Sequence, residues 1–155
     1  MMAAASSTAR RQTAHKENNP LKTTREITIA AIYDVLLYTE MGKTIDLEEL
    51  ISSLCETSYE SADTFVKRMV IAAIKHMKEI IPAYEEHMRG WTWNRLDHLE
   101  QALLLYCYCH FFYDTEEVSK KIVINVGVEY AKTYLDPKAK GFINAILDKV
   151  LVKNA

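Results

Sequence analysis

Cys107, Cys109 and His110 are the residues whose types most readily suggest chemistry, because thiolate and imidazole groups are preferred ligands of zinc. The three lie in a stretch that we predict to be helical, and side chains two positions apart on a helix point to different sides. The sequence contains no second pair of ligands at zinc spacing. We therefore predict that Cys107 and Cys109 are small buried side chains and that the protein binds no metal.

Side chains able to act as nucleophiles or as general acids and bases are present, but none occurs in a recognisable catalytic pattern. The five histidines include no H-E-x-x-H array, and Glu85-Glu86-His87 is typical of a solvated face beside a helix end. The four glycines form neither a Walker loop nor a dinucleotide-binding fingerprint. The sequence therefore gives no positive reason to expect an enzyme or a bound cofactor.

A cluster of aromatic residues suggests a different chemistry, since unpaired bases stack on aromatic rings. Packing inside a helical core accounts for these residues better, because the segment that contains them is apolar on nearly every side. The cluster consists of Tyr106, Tyr108, Phe111, Phe112 and Tyr113. Trp91 and Trp93 precede it, and we predict that both cover the junction between two layers of helices.

Basic residues are concentrated at the N-terminus, where residues 1–25 carry five basic side chains and one acid, although the formal net charge of the chain is −2. A basic arm on an acidic body can hold phosphate locally, and a solvated tail is the other interpretation. The first residues show no apolar periodicity and end in Asn18-Asn19-Pro20, which favours a turn. We predict a flexible basic arm at residues 1–20 and a single domain at residues 21–155.

The elements that position these residues are all predicted to be helices. Apolar residues recur at helical spacing in about seven segments, and no run alternates cleanly as a half-buried strand does. The first helix has an apolar stripe so wide that it must contact more than one neighbour. Pro82 is predicted to break or offset the helical pattern, which gives a separate short helix over residues 83–88. The central helix, predicted from Trp93 to Tyr113, is apolar on nearly all sides and should be buried.

Composition is typical of a single-domain cytoplasmic protein. The 155 residues suffice for one domain with a core, and 49% apolar and 26% charged residues are an ordinary globular balance. No apolar run is long enough to cross a bilayer, and the first twenty residues lack the apolar stretch of a secretory signal. Three cysteines, an odd number, suit a reducing compartment better than a disulfide framework.

Four segments resemble those of the NusB family and occur in the same order. They are Arg25-Glu-Ile-Thr-Ile-Ala-Ala-Ile-Tyr33, Leu99-Glu-Gln-Ala-Leu-Leu104, Val123-Ile-Asn-Val-Gly-Val-Glu-Tyr-Ala-Lys132 and Gly141-Phe-Ile-Asn-Ala-Ile-Leu-Asp-Lys149. Each segment alone is mostly a core pattern, but the four together cover nearly all of residues 22–149. The resemblance implies an all-α fold of about seven helices in two small helical bundles that share the first helix.

The resemblance also implies a function. Members of the NusB family bind the boxA element of ribosomal RNA transcripts together with the ribosomal protein NusE, and so help RNA polymerase to resist termination. The expected partners are therefore a boxA-like single-stranded RNA, NusE and the transcription elongation complex, with no membrane. A homodimer stays an open alternative, because a wide apolar face can also meet a second copy of the chain.

The same resemblance indicates which residues contact each partner. The RNA-binding residues implied are Lys22 and Arg25 at the start of the first helix, and Lys138, Lys140 and Phe142 around the start of the last helix. Cations hold phosphates, and an aromatic ring can stack on a base. The surface for the protein partner is expected to include Tyr33 and Glu100, with Glu100 placed to meet a basic ribosomal protein.

The chain departs from the family pattern before the first helix, where Thr23 and Thr24 stand in place of the arginine cluster of many relatives. This difference leaves open a second hypothesis, a protein-interaction scaffold that keeps the NusB fold with reduced or lost RNA binding. A third hypothesis is the accessory domain of an RNA methyltransferase family that uses the same fold. We rank it last, because the residues up to Ala155 leave no room for a cofactor-binding domain.

Overall fold

A computed structural model of the chain describes residues 20–153, with side chains from residue 23 onward. The described residues contain α-helices and one short 3₁₀ helix but no strand, which confirms the predicted all-α fold of about seven helices. The predicted arm lies outside the described residues except for its last residue, which begins the first helix. The helices are α1 (Pro20–Glu40), α2 (Leu47–Cys55), α3 (Thr64–Lys75), α4 (Met77–Glu85), the 3₁₀ helix η1 (Trp93–Arg95), α5 (His98–Phe112), α6 (Lys120–Tyr134) and α7 (Ala139–Val150).

The central helix of the fold is α5, as its apolar sequence predicts. Nine of its fifteen residues are buried, and it contacts α1, α3, α4, α6 and α7. Cys107 and Cys109 are free thiols in its buried part, which confirms their predicted role as small core side chains. Burial raises the pKa of Cys109 to about 12, and it also raises the pKa of Cys107. Both thiols are therefore protonated and unreactive near neutral pH.

The first helix belongs to both halves of the fold. In one bundle it packs against α2 and α3. In the other bundle it packs against α5, which in turn packs against α4, α6 and α7. Near its start it also meets α6, where the Tyr134 hydroxyl donates a hydrogen bond of 2.8 Å to Glu26 Oε2. Because α1 serves two sets of neighbours, its apolar stripe has to be wide. The expected arrangement of two bundles that share the first helix is confirmed.

The prediction that Pro82 breaks or offsets the helical pattern and gives a separate short helix over residues 83–88 is wrong. Pro82 lies inside α4, and the break between α3 and α4 falls at His76. The backbone of His76 leaves the helical conformation, with φ −105° and ψ 11°. Its ring stacks on Tyr113 with 4.1 Å between ring centres, and its Nδ1 lies 2.8 Å from Glu79 Oε1. The break is therefore stabilised by a contact with the end of α5, which local helix propensity does not report.

The central helix begins at His98 rather than at Trp93, so its predicted start is also wrong. The carboxylate of Asp97 accepts a hydrogen bond of 2.8 Å from the backbone N–H of Glu100 and so caps the first turn. The residues before Asp97 form the short helix η1 and an extended connection at Leu96. This separate loop, rather than a continuous helix, forms one side of the pocket described below.

Gly127 allows α6 to pack closely against α5 and α7. A methyl group added at Gly127 would lie 2.9 Å from Leu147 Cδ1, 3.2 Å from Cys107 Sγ and 3.3 Å from Ile143 Cγ2. All three neighbours are fully buried, so none can move aside without disturbing the close-packed core. The contact between these three helices thus depends on the absence of a side chain at this position.

We expect the substitution Gly127→Ala to lower the free energy of unfolding by about 1–3 kcal/mol, because overpacking displaces buried side chains. The matched control is Gly141→Ala in α7, where a methyl group would meet nothing within 4 Å. There the higher helix propensity of alanine should raise stability by up to about 1 kcal/mol. Urea denaturation measures both changes. Equal stability of the two variants would contradict the tight packing of α6.

Candidate RNA- and partner-binding surface

A pocket of about 410 Å³ lies between the loop before α5 and the start of α7. Its wall contains two aromatic rings, two cations and two carboxylates. The lining residues are Trp91, Arg95, Leu96, Glu100, Asp136, Lys138, Ala139 and Phe142. We call it the Trp91 pocket. The fold thus brings three of the expected site residues, Glu100, Lys138 and Phe142, to one place.

Trp93 holds the loop before α5 in position. Its indole is only 4% exposed and stacks on Tyr84 with 5.9 Å between ring centres. Its backbone N–H donates a hydrogen bond of 2.8 Å to Glu85 Oε2, and its carbonyl accepts one of 2.8 Å from Gln101 Nε2. The loop is therefore attached to both α4 and α5, and so are the pocket residues on either side of Trp93.

Trp91 behaves differently from Trp93. The prediction that both tryptophans cover the junction between helical layers is right for Trp93 but wrong for Trp91, whose indole is 52% exposed. The guanidinium carbon of Arg95 lies 4.8 Å from a ring centre of Trp91, a cation–π distance. The backbone of Thr92 is extended, a geometry that by itself places side chains two positions apart on the same side. The spacing of the two tryptophans therefore carries no signal that one ring is exposed, because the difference arises from the tertiary contact between the rings of Trp93 and Tyr84.

Glu100 is half-buried in the first turn of α5. Burial raises the pKa of its carboxyl group, and the negative charges of Asp97 and Asp136 raise it further. The ionised carboxylate is thus poorly stabilised by its surroundings, and a cation brought by a partner would stabilise it. This environment agrees with the role toward a basic protein that we expect for Glu100.

The start of α7 has no capping side chain. Lys138 occupies the capping position without a side-chain bond to the helix, and the first turn contains no acid. The backbone N–H of Lys138 donates a hydrogen bond of 2.9 Å to Asp136 Oδ1. Lys138 and Lys140 are exposed, and Phe142 is half-buried. The first amides of α7, its dipole and two lysines therefore make a positive end beside an aromatic ring, which suits a phosphate and its base.

Arg25 lies apart from the Trp91 pocket. It is half-buried near the start of α1 and lines a small pocket of about 60 Å³ between α1 and α6. Tyr134 lines the same small pocket and ends α6, and the chain continues from it through a loop to Lys138. Arg25 and Lys138 therefore lie at the two ends of this connection rather than in one cluster.

The other two expected site residues also lie on α1. Tyr33 is half-buried, packs against the core and does not line the pocket that contains Glu100. Lys22 is in the first turn of α1, but its side chain lies outside the described residues. The structure thus does not bring Tyr33 and Glu100 into one pocket.

Residues 20–153 contain neither a cluster of potential metal ligands nor a membrane-spanning helix. Among these residues, no three side chains of His, Cys, Asp or Glu come together in a way that could hold a metal ion. No helix in this part of the chain has the length and the apolar character needed to cross a bilayer.

The seven α-helices of residues 20–153, arranged in two small bundles, define an all-α protein with a charged, aromatic pocket at its surface. The sequence model of the NusB family matches residues 22–152, which is most of the chain. The chain therefore belongs to the NusB family, as the four resembling segments predict.

Relatives of this chain include proteins named transcription antitermination protein NusB. That of Clostridium tetani is 29% identical in an alignment of 147 residues, which covers 83% of this chain and 95% of the relative. That of Halalkalibacterium halodurans is 28% identical over 105 residues, which cover 68% of this chain and 77% of the relative. The two alignments thus extend over most of the length of both relatives.

Two solved structures are similar in fold. NusB of T. maritima superposes with a TM-score of 0.73 at 19% identity and covers 86% of this chain and 91% of its own. A crystal structure of antitermination factors NusB and NusE in complex with dsRNA matches with a TM-score of 0.65 at 22% identity, covering 84% and 94%. These likenesses confirm the fold.

We expect Glu100→Gln to raise the free energy of unfolding near pH 7 by at most about 0.5 kcal/mol, an effect kept small because solvent screens a carboxylate that is only half-buried. The pKa of this carboxyl group is raised in the folded state, so its ionised form is disfavoured by folding. In the parent protein, the ionised carboxylate of Glu100 therefore destabilises the folded state at pH values above its folded-state pKa. This cost is absent at about pH 3, where the carboxyl group is protonated in both the folded and the unfolded state. Urea denaturation at the two pH values measures the difference.

The control for this substitution is Glu86→Gln, which changes an exposed glutamate at the end of α4. It removes the same charge from a solvated position, so it should leave the unfolding midpoint nearly unchanged at both pH values. A loss of stability in Glu100→Gln near pH 7 would contradict the environment described for Glu100.

Proposed function

We propose that this protein is a transcription antitermination factor that binds boxA-type single-stranded RNA together with the ribosomal protein NusE. The observation that carries the proposal is the meeting of Glu100, Lys138 and Phe142 in one pocket of a NusB-family fold. Relatives are named for transcription antitermination, and NusB and NusE have been solved together with dsRNA. The role is one of binding within the elongation complex, and we propose no catalytic activity.

The RNA is proposed to follow a cationic path along the connection between α6 and α7. Lys138 and Lys140 hold phosphates at the start of α7, and Phe142 contacts a base. Arg25 and Lys22 extend the path to the start of α1. Phosphate contacts fix the position of a strand, whereas contacts with bases give sequence preference. The pocket is thus proposed to supply the preference and the lysines most of the salt-dependent affinity.

NusE is proposed to contact Glu100 through a basic side chain, with Tyr33 on the same partner surface. The raised pKa of Glu100 supports this role, since a cation beside the carboxylate would offset the cost of its burial. Glu100 and Lys138 line the same pocket, so the two partners would meet there. A cation on Glu100 also lowers the negative potential that an RNA phosphate meets, so NusE and RNA should strengthen each other's binding.

We further propose that residues 21–155 act as one domain in the cytoplasm and that residues 1–20 are a flexible basic arm. The core runs without a gap from α1 to α7, which supports a single domain. The arm contains Arg10, Arg11 and Lys16 against the single acid Glu17. Its proposed role is to add phosphate contacts beside the start of α1.

A second candidate function is a NusB-fold scaffold with reduced or lost RNA binding. Thr23 and Thr24 at the start of α1, in place of an arginine cluster, favour it. So do the carboxylates of Glu100 and Asp136, which repel phosphate from within the pocket. The two candidates differ in one measurable quantity, the affinity for RNA in the presence of NusE.

We expect Lys140→Ala to weaken binding to a boxA-like single strand and to reduce the slope of log K against log salt by about 0.7–1, because one phosphate contact is lost. The matched control is Lys149→Ala, which removes an exposed lysine from the last turn of the same helix. Fluorescence anisotropy between about 50 and 200 mM salt, with and without NusE, measures both. Arg25→Ala should act in the same direction as Lys140→Ala.

The outcomes of this titration separate the two candidates. Equal losses in Lys140→Ala and Lys149→Ala would mean that RNA responds only to overall charge, which contradicts the assigned site. Binding of NusE with no measurable RNA affinity in the parent protein would favour the scaffold. RNA binding that becomes tighter when NusE is added would support the antitermination factor.

A further inference from the structure

Trp91 is an exposed aromatic ring that the contacts proposed so far do not use. Its indole is 52% exposed, although Trp93, two residues later, is buried and attaches the loop to α4 and α5. The guanidinium carbon of Arg95 lies 4.8 Å from a ring centre of Trp91. The indole of Trp91 is therefore held by its contact with Arg95 and by a loop backbone that Trp93 fixes in position. A large apolar ring held in water on an anchored segment indicates a surface that a ligand covers.

We propose that the Trp91 pocket binds one unstacked base of the RNA, with the indole of Trp91 as its stacking surface. This inference rests on the proposed RNA-binding function. The volume of about 410 Å³ falls within the range of about 300–1,000 Å³ in which small planar molecules are bound. Phe142 adds a second ring from the side of α7, and the half-exposed indole of Trp91 lines the same pocket.

The charges of the pocket suit a nucleotide whose base lies inside and whose phosphates lie outside. Lys138 lines the wall, and the exposed Lys140 follows on the same turn of chain, where the flanking phosphates would pass. The carboxylate of Asp136 is fixed by the backbone N–H of Lys138, and its remaining acceptor capacity suits an amino group. The pocket should therefore prefer a base with an exocyclic amino group, such as cytosine, over uracil.

A basic side chain of a protein partner is the competing occupant of the pocket. Arg95 already covers one face of Trp91, and Lys138 lies on the opposite segment of the wall. Glu100 and Asp136 balance these two cations, so the charge of the lining does not favour a further cation, whereas the two aromatic rings favour a neutral planar base. The base is therefore the favoured occupant, and the cation of NusE is left to Glu100.

The test is a scan with boxA-like single-stranded RNAs that each carry one abasic nucleotide, titrated against the parent protein and Trp91→Ala. In the parent, one abasic position should weaken binding about tenfold or more, and Trp91→Ala should weaken the intact RNA to a similar extent. The two changes together should weaken binding little further, because they remove the same contact. Trp91→Phe keeps a stacking ring and should retain most of the affinity.

The salt dependence of binding and the identity of the base at the sensitive position provide two further measurements. Trp91→Ala should keep the salt slope of the parent, because it removes no phosphate contact, whereas Lys140→Ala should lower the slope. At the sensitive position, uracil should bind the parent more weakly than cytosine does. Because the indole is half exposed, Trp91→Ala should also keep the parent's thermal unfolding midpoint, so a loss of affinity would not reflect a loss of fold.

The outcomes separate the base pocket from the function on which it rests. An unchanged abasic profile in Trp91→Ala, with salt- and Lys140-dependent RNA binding intact, would overturn the pocket and leave the proposed function standing. A loss of NusE affinity in Trp91→Ala with RNA affinity unchanged would make the occupant a protein side chain and also overturn the pocket. No RNA binding by the parent protein, with or without NusE, would overturn both.

Discussion

Burial of α5 on nearly every side is the constraint on which the rest of the structure depends. A helix without a polar face cannot lie on the surface of a small domain, so α1, α3, α4, α6 and α7 must surround it. Close approach is then required on each side, and Gly127 provides it on the side of α6. Once α5 is enclosed, the position of its first turn is fixed, and with it the positions of Asp97 and Glu100.

Polar atoms that are buried around α5 need hydrogen-bond partners, and the bonds that they form fix one wall of the Trp91 pocket. The hydroxyl of Tyr84 donates a hydrogen bond of 2.6 Å to the carbonyl of Leu104, and the buried amide of Gln101 donates to the carbonyl of Trp93. Leaving either group unpaired would cost about 1–3 kcal/mol. The bonds join α4, α5 and the loop before α5 into one unit, and this unit carries the exposed ring of Trp91.

Much of the fold could be predicted because helical periodicity is local, and the all-round apolar pattern of α5 already implies a central position. The start of α5 was also readable in principle, since Asp97 is a good capping residue three positions before Glu100. The break at His76 was not, because it depends on stacking against Tyr113 from a distant helix. The Trp91 pocket was beyond local reasoning for the same reason, as its two walls come from segments far apart in the chain.

The Trp91 pocket contains carboxylates beside cations, in a chain whose formal net charge is −2. These charges determine how such a chain could bind an anionic ligand. Phosphate affinity depends on charges within about 10 Å, so the acidic remainder of the surface matters less than Glu100 and Asp136 do. A pocket of cations alone would bind RNA in any circumstance. Under the proposed function, Glu100 would oppose phosphate until a cation neutralised it, so the pocket would make RNA affinity conditional on a basic partner, and reciprocity would then require the partner's affinity to depend equally on RNA.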